Sequence, residues 1–308
     1  RSEKVSRDQG SRCMECGVPF CHYACPLGNV IPEWNDLLFK GQWKKAFDIL
    51  STTNSFPEFT GLVCPATCEA GCVAGLNTEA VTIRENELDI IEHAFKMKWI
   101  APKPPKKRTG NKVAVIGSGP SGLACANVLN HLGHKVTVFD RDALPGGILR
   151  YGIPDFKLEK HIIDRRLAIM KKEGVTFRNK ADVGKTITGK TLLKDFDAVS
   201  ICIGARKPRD LTIPGRDLNG VHFAMDFLCQ QNARNLKQPI KGKEIFAKGK
   251  HVIVVGGGDT GSDCVGLSNR QGARSVTQIE LLPEPPKERT ADMPWPMYPR
   301  LLKTSSSH

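Results

Sequence analysis

The sequence has no apolar run near the roughly eighteen residues that a membrane-spanning helix needs, and no signal peptide precedes its first cysteines. Membrane and secreted proteins are thereby set aside, and a cytoplasmic setting is expected. Aromatic residues are scarce, at 6%, and acids are the minority charge, 32 against 45 lysines and arginines, for a net of +13. Such a balance suits nucleic acid, an acidic protein partner or only a solvated basic surface. With 308 residues the chain can hold two or three domains and a core that needs no disulfide support. It opens at Arg1 without a methionine and stops at Ser305, Ser306, Ser307 and His308, so it reads as a segment of something longer.

Residues 1–100 also lack any alternating strand pattern and are expected to be mainly helical. Ile31 and Pro32 open one helix, with proline where its missing N–H costs little, and Trp34, Leu37 and Leu38 give it an apolar face. Trp43, Ala46, Phe47 and Leu50 recur at the helical period, and a further helix is expected from about Asn86 to Lys98. Residues 101–111 carry Pro102, Pro104 and Pro105 among four basic residues, an extended linker. After it comes a βαβ unit: strand Val113–Ile116, glycines, helix Ser121–Leu132 and strand Lys135–Phe139. A second unit, with strand His251–Val255, a helix near Thr260–Arg270 and strand Ser275–Leu281, repeats it 139 residues on. Between them Ala198–Ile203 reads as a buried strand ending at Gly204, and beyond Pro283 the tail is proline-rich and irregular. The expected domains are therefore 1–100, a nucleotide domain over 112–218 and a second over 219–308.

Cysteine is abundant and uneven, with seven of eleven lying between Cys13 and Cys72. Cys13, Cys16, Cys21 and Cys25-Pro26 form one group; Cys64-Pro65, Cys68 and Cys72 form the other. Seven is odd, and closely spaced pairs rarely bridge structurally, so disulfides fit poorly. Structural zinc is the plainer reading, but two tetrahedral sites need eight ligands. Iron–sulfur clusters fit the local form better, because bacterial two-cluster ferredoxins end a cysteine run in xxxCP and use that last cysteine for the other cluster. Crossing of this kind gives Cys13, Cys16 and Cys21 one cluster and Cys25 the other, leaving one position short. Glu85, Glu87 or His22 could fill it. The remaining Cys125, Cys202, Cys229 and Cys264 contain no CxxC pair and are expected to be small buried hydrophobes.

Gly117, Gly119 and Gly122 form GxGxxG between strand and helix: a tight turn, a close approach to a pyrophosphate, and close helix–strand packing. Asp140 ends the following strand 23 residues after Gly117, where a carboxylate can accept from ribose hydroxyls. Gly256, Gly258 and Gly261 repeat the design, with Glu280 at the strand end 24 residues after Gly256. An acid there hydrogen-bonds a free 2′-hydroxyl and repels a 2′-phosphate, which favours NADH over NADPH, although Arg270 and Arg274 are close in sequence.

Taken with Cys13-Met-Glu-Cys16-Gly-Val-Pro-Phe-Cys21-His, Ile31-Pro-Glu-Trp-Asn-Asp36, Asn54-Ser-Phe-Pro-Glu-Phe-Thr-Gly61, Val63-Cys-Pro-Ala-Thr-Cys68, Gly146-Gly-Ile-Leu-Arg-Tyr-Gly-Ile-Pro154, Gly256-Gly-Gly-Asp-Thr-Gly261 and Gln278-Ile-Glu-Leu-Leu-Pro283, these features give a specific likeness. Over nearly its whole length the chain resembles the small subunit, or beta chain, of glutamate synthase and the corresponding C-terminal region of single-chain NADH-dependent glutamate synthases. The resemblance implies a helical domain with two [4Fe-4S] clusters, then α/β Rossmann-like FAD and NAD(P) domains similar to those of adrenodoxin reductase. It assigns Cys13, Cys16, Cys21 and Cys72 to one cluster, and Cys25, Cys64, Cys68 and, by position, Glu87 to the other. Gly117, Gly119, Ser121, Gly122 and Asp140 would cradle FAD, with Gly147, Leu149, Gly152 and Lys157 on the isoalloxazine side and Gly204 near the pyrophosphate. Asp140 departs from the Glu that many members have. Gly256, Gly258, Asp259, Thr260, Gly261 and Glu280 would hold the nicotinamide nucleotide. Such proteins insert the nucleotide domain into the FAD domain and return to close the FAD site with a Gly-Asp segment. That segment is not in these residues, so the chain is expected to be C-terminally incomplete, holding FAD weakly and inactive when isolated.

A nicotinamide gives two electrons as hydride and a cubane takes one, so a flavin is expected between them. In the family the electrons leave for a large subunit or region that carries FMN and a glutaminase and forms L-glutamate. Hydride transfer needs no side-chain acid or base, so no catalytic residue is nominated. The compartment is cytoplasmic, or plastid for a plant-type source. Alternatives are the electron-input region of a dihydropyrimidine dehydrogenase-like enzyme or flavin-based transhydrogenase, a scaffolding subunit, and a zinc-dependent nucleic-acid binder. The paired glycine loops disfavour the last, so no nucleic acid and no membrane partner is expected.

Overall fold

The structure, a computed structural model, describes residues 1–240, 242–302, 305 and 307. The chain divides into two compact units, Arg1–Ala101 together with the stretch from Glu284, and Pro102–Pro283 together with Ser307. The tail beyond Glu284 is irregular where described; the part of it at 303, 304, 306 and 308 lies outside the described residues. No helix among the described residues is long and apolar enough to cross a membrane.

The first unit is helical: α1 (Glu3–Gly10), α2 (Phe20–Ala24), α3 (Ile31–Phe39), α4 (Trp43–Thr53), α5 (Pro57–Val63), α6 (Thr67–Ala70) and α7 (Ile83–Lys96). Trp34, Leu38, Leu50 and Ile90, none measurably exposed, form the core where α3, α4 and α7 meet. Proline at the start of α3 and α5 fixes the backbone for the first turn at no cost in hydrogen bonds. At Gly61 a Cβ would lie 2.8 Å from that of Leu88, so α5 and α7 approach closely because glycine stands there. The last helix starts at Ile83, three residues before its expected start. The tail packs onto this unit, with the Trp295 ring 4.5 Å from that of Phe20 and Arg289 donating to the Ala70 carbonyl.

The second unit holds β1 (Lys112–Ile116), α8 (Pro120–His131), β2 (Lys135–Phe139), α9 (Gly147–Tyr151), α10 (Lys160–Lys172), β3 (Thr176–Arg178), α11 (Gly189–Asp195), β4 (Ala198–Ile201), α12 (Ala224–Asn235), β5 (His251–Val255), α13 (Asp259–Arg270) and β6 (Ser275–Ile279). β1–β4 form a parallel sheet in the order β3-β2-β1-β4, and β5 and β6 pair in parallel in a second sheet. Chain order reverses between β1 and β4, which opens a crevice at the strands' C-terminal ends, the place where open α/β sheets bind ligands. The expected βαβ units form within two residues of their sequence-read limits. β4 departs from the buried strand read over Ala198–Ile203: it ends at Ile201, among the described residues it pairs with β1 alone, and Ile201 and, beyond it, Ile203 are 70% and 61% exposed. The linker is pinned to the sheet unit, with Lys103 N–H donating to Glu173 and the Arg108 guanidinium to Asn130 and to the carbonyls of His134 and Glu173.

Candidate functional site

All eleven cysteines are free thiols. Cys13, Cys16, Cys21 and Cys72 line one apolar pocket with Phe20, Ile31 and Val81 among its walls. Burial, reinforced by the neighbouring charges of Cys72 and Cys13, pushes the Cys21 thiol up to about 12. Burial also raises Cys13, which senses Cys72 and Cys16. The second group is separate. Burial raises Cys64, which senses Glu87 and Cys25; it raises Cys68, which senses Glu69, Cys25, Cys64 and Glu87. Each set thus contains cysteines from both halves of the sequence run, the crossed arrangement expected from the xxxCP ending.

Local backbone brings this about. Glu15, inside the first CxxC, and Ala66, between Cys64 and Cys68, have positive φ of 46° and 57°, conformations that cost a non-glycine residue about 1–2 kcal/mol. Ala66 N–H donates to the Cys64 sulfur at 3.4 Å. Among the described residues no three or more His, Cys, Asp or Glu are placed to hold a single metal ion. Cys13, Cys16, Cys21 and Cys72 share one apolar pocket, a four-thiol set that suits an iron–sulfur cube whose donors attach at separate corners.

Of the candidate eighth ligands, Glu87 lies with Cys64 and Cys68, buried at 6% exposure. Its Oε1 accepts from the Thr60 hydroxyl and from Asn54 Nδ2 (3.2 Å), and its Oε2 from Asn29 Nδ2 (3.1 Å). Burial pushes the Glu87 carboxyl up to about 7, against the Thr60 bond, which lowers it. Glu85 instead pairs with Arg1 at 2.8 Å on the surface, and the His22 ring sits beside Tyr23, with Nε2 toward Gly28. The bonds of Asn29, Asn54 and Thr60 to Glu87 were not read from the sequence, although Asn54 and Thr60 stand in a quoted motif, since partners far apart in the chain carry no local pattern.

In the first glycine loop, Gly117 turns at φ +101° against the Cys202 carbonyl, and a Cβ on Gly122 would lie 1.9 Å from the Gly117 oxygen. Nothing stands within 4 Å of where a Gly119 Cβ would be. The loop therefore closes the helix onto the strand and leaves its middle open, at the N-terminus of the twelve-residue α8, where backbone N–H groups and the helix dipole favour an anion. Asp140 does more than face a ligand: its Oδ2 accepts from Ser118 N–H (2.9 Å) and the Ser118 hydroxyl, and its Oδ1 from Asp142 N–H. Ser118, not picked out from the sequence, also accepts from Gly146 N–H at 2.8 Å and so ties the Gly146–Gly152 segment to the loop. A Cβ on Gly147 would lie 2.8 Å from Gly119. Leu149 and Gly152 are buried beside it, Ser121 is exposed in the first turn of α8, and Gly204 is open beyond β4. Lys157 pairs with Asp263 of α13 at 2.9 Å.

The second loop repeats the geometry. Gly256 turns at φ +116°, Gly261 would bring a Cβ 2.2 Å from the Gly256 oxygen, Gly258 is open, and Asp259 and Thr260 start a helix of the same length. Glu280 accepts from the N–H groups of Leu281 (2.7 Å), Leu282 and Gly257, which hold its carboxyl below the usual range. Neither nearby arginine reaches it: Arg274 precedes β6, at the opposite end, and the Arg270 guanidinium lies 3.8 Å from the Phe156 ring centroid. Of the four scattered cysteines only Cys264 is buried; Cys125, Cys202 and Cys229 are half-buried.

Comparison with known proteins agrees with this division. Residues 1–99 match the family described as dihydropyrimidine dehydrogenase domain II, 4Fe-4S cluster, and residues 111–296 match pyridine nucleotide-disulphide oxidoreductase. The glutamate synthase [NADPH] small chain of Mycobacterium tuberculosis (strain CDC 1551 / Oshkosh) is 52% identical over 98% of this chain, which spans 63% of that protein. The glutamate synthase [NADH] of Schizosaccharomyces pombe is 50% identical over 99% of this chain and 15% of its own length. Among solved structures, Mycobacterium tuberculosis FprA in complex with NADPH is 27% identical with a TM-score of 0.41, covering 50% of this chain and 35% of that one. Both glycine loops fall inside the match over residues 111–296, the greater part of the sequence, and the chain belongs to the pyridine nucleotide-disulphide oxidoreductase family.

Proposed function

We propose that this chain is the electron-input part of a glutamate synthase, oxidising NADH and passing single electrons to a large subunit or region that carries FMN and a glutaminase and forms L-glutamate. What supports the reading is the joint presence, in one chain, of a pocket lined by four thiols, a second group in which Cys25, Cys64, Cys68 and Glu87 influence one another, and two glycine loops of the same construction. The names of the relatives support glutamate synthase over other destinations. FAD, when bound, supplies the conversion of a two-electron hydride into one-electron steps.

The chain's own residues bind and orient. In this reading residues 112–218 form the FAD part, where the open Gly119 leaves room for a pyrophosphate and Asp140 shapes the loop through Ser118. Residues from 219 form the nucleotide part, where Glu280 is exposed at the end of β6 and selects a free 2′-hydroxyl. Residues 1–100 hold two [4Fe-4S] clusters, one on Cys13, Cys16, Cys21 and Cys72, the other on Cys25, Cys64, Cys68 and Glu87. Their apolar walls keep water from the thiolates once iron has displaced the protons that burial otherwise retains. The compartment is the cytoplasm, or the plastid in a plant-type source.

The test is anaerobic purification with FAD supplied, iron and sulfide analysis, and absorbance before and after NADH. About eight irons per chain and bleaching by NADH are expected. Zinc in their place would overturn the cluster reading, and far better bleaching by NADPH would overturn the coenzyme assignment. The match of residues 1–99 to a dihydropyrimidine dehydrogenase domain keeps a second destination in view. Glutamate formation from 2-oxoglutarate and glutamine with the large partner separates the two.

A further inference from the structure

We propose that Asn35 donates a hydrogen bond from Nδ2 to a sulfur of the cluster held by Cys13, Cys16, Cys21 and Cys72, and that Arg1 and Asn86 lock the amide in that sense. This rests on reading those four thiols as a cluster site. Asn35 lies on α3, is 0% exposed and lines the thiol pocket. Its Oδ1 accepts from Asn86 Nδ2 at 2.8 Å, whereas its Nδ2 is buried without any hydrogen-bond partner. Such a donor is costly to leave unpaired. The other side chains lining the pocket are apolar or carry sulfur, so the acceptor that the pocket can offer is a sulfur.

Which end of each amide points where is decided by a charge. A guanidinium has donors only, so Asn86 must present Oδ1 to Arg1 Nη2, which it meets at 2.6 Å. Its Nδ2 is thereby turned to Asn35, Asn35 must answer with Oδ1, and Asn35 Nδ2 is left for the pocket. Arg1 is itself fixed by Glu85 at 2.8 Å and Asp89 at 2.6 Å. A donor on a cluster sulfur stabilises the negative charge gained on reduction and so raises the potential. Asn35 is thus a positioning and tuning residue.

The test uses the holoprotein and two variants. Asn35→Leu removes the donor while keeping the bulk. Asn86→Asp leaves the pocket untouched but offers acceptors to both Arg1 and Asn35, so the Asn35 amide turns its nitrogen away from the pocket. In a redox titration followed by EPR, the cluster whose signal a Cys72→Ala chain lacks should shift about tenfold toward the oxidised form in either variant, 59 mV for one electron. The other cluster should stay unchanged, and the double variant should shift no further. Pulsed EPR should find an exchangeable proton coupled to that cluster in the native chain and not in either variant, a change that added charge alone cannot mimic. An unchanged potential and proton coupling with full iron content would overturn the proposal. If Asn35→Leu does not fold, Asn86→Asp decides. A native chain without iron would overturn the cluster reading instead.

Discussion

At both glycine loops the chain turns through a positive φ and seats its third glycine on the carbonyl of the first; in both, an acid at the end of the next strand accepts from the N–H that follows the first glycine. What surrounds them differs. β1 has a strand on each side, whereas β5 is paired with β6 alone among the described residues. Both acids accept from three donors, but Asp140 is 6% exposed and Glu280 is open to solvent. The same local device is therefore enclosed at the first loop and exposed at the second, and the neighbours make the difference.

The strongest way to break this comparison is to crowd the turns. Gly122→Ala should cost about 3 kcal/mol and Gly261→Ala nearer 2 kcal/mol, because the second loop lies beside the smaller sheet and has less packed around it to displace. Urea unfolding checks this, and a larger loss at Gly261 would refute the role given to burial. Next, Asp140→Ala strands two buried donors and a half-buried one and should cost about 2 kcal/mol, while Glu280→Ala should leave the unfolding midpoint where it was. Its effect belongs in steady-state kinetics: the preference for NADH over NADPH should fall about tenfold as the repulsion of a 2′-phosphate disappears. A large stability loss with unchanged coenzyme preference would reverse the assignment.

The smallest effect concerns two cysteines at matching places, each three residues past a third glycine. Iodoacetamide should label half-buried Cys125 faster than buried Cys264 in the folded chain. Burial, with Asp263 adding to it, pushes the Cys264 thiol up to about 12, whereas an unfolded thiol ionises near about 8.5. Between those values the folded chain holds the extra proton, so stability present at lower pH is lost as pH rises toward 12. Cys264→Ala should flatten that decline in a thermal melt across alkaline pH.

Much of this was legible in the sequence. The turn, close-approach and packing glycines could be read because each role excludes a side chain for a local steric reason, and the helical period exposed α3, α4 and most of α7. The short β3, the helices α9, α10 and α12, and the exposure of β4 were not read, since their limits depend on what packs against them. The acids were found at the strand ends, but their acceptance from loop N–H groups was not, because a carboxylate's partner is chosen by distance in space.

By itself the sequence determined the two βαβ units, the helical first unit and the inventory of donors, since backbone sterics and hydrophobic period act over a few residues. The spacing of the residues left open where Cys72 belongs and which acid is buried; tertiary structure sets Cys72 in one pocket with Cys13, Cys16 and Cys21, brings Cys25 near Cys64 and Cys68, buries Glu87 rather than Glu85, and lets Arg1 orient Asn35 through Asn86. Those choices are made by burial and hydrogen bonding between residues tens of positions apart, where no short-range pattern reaches.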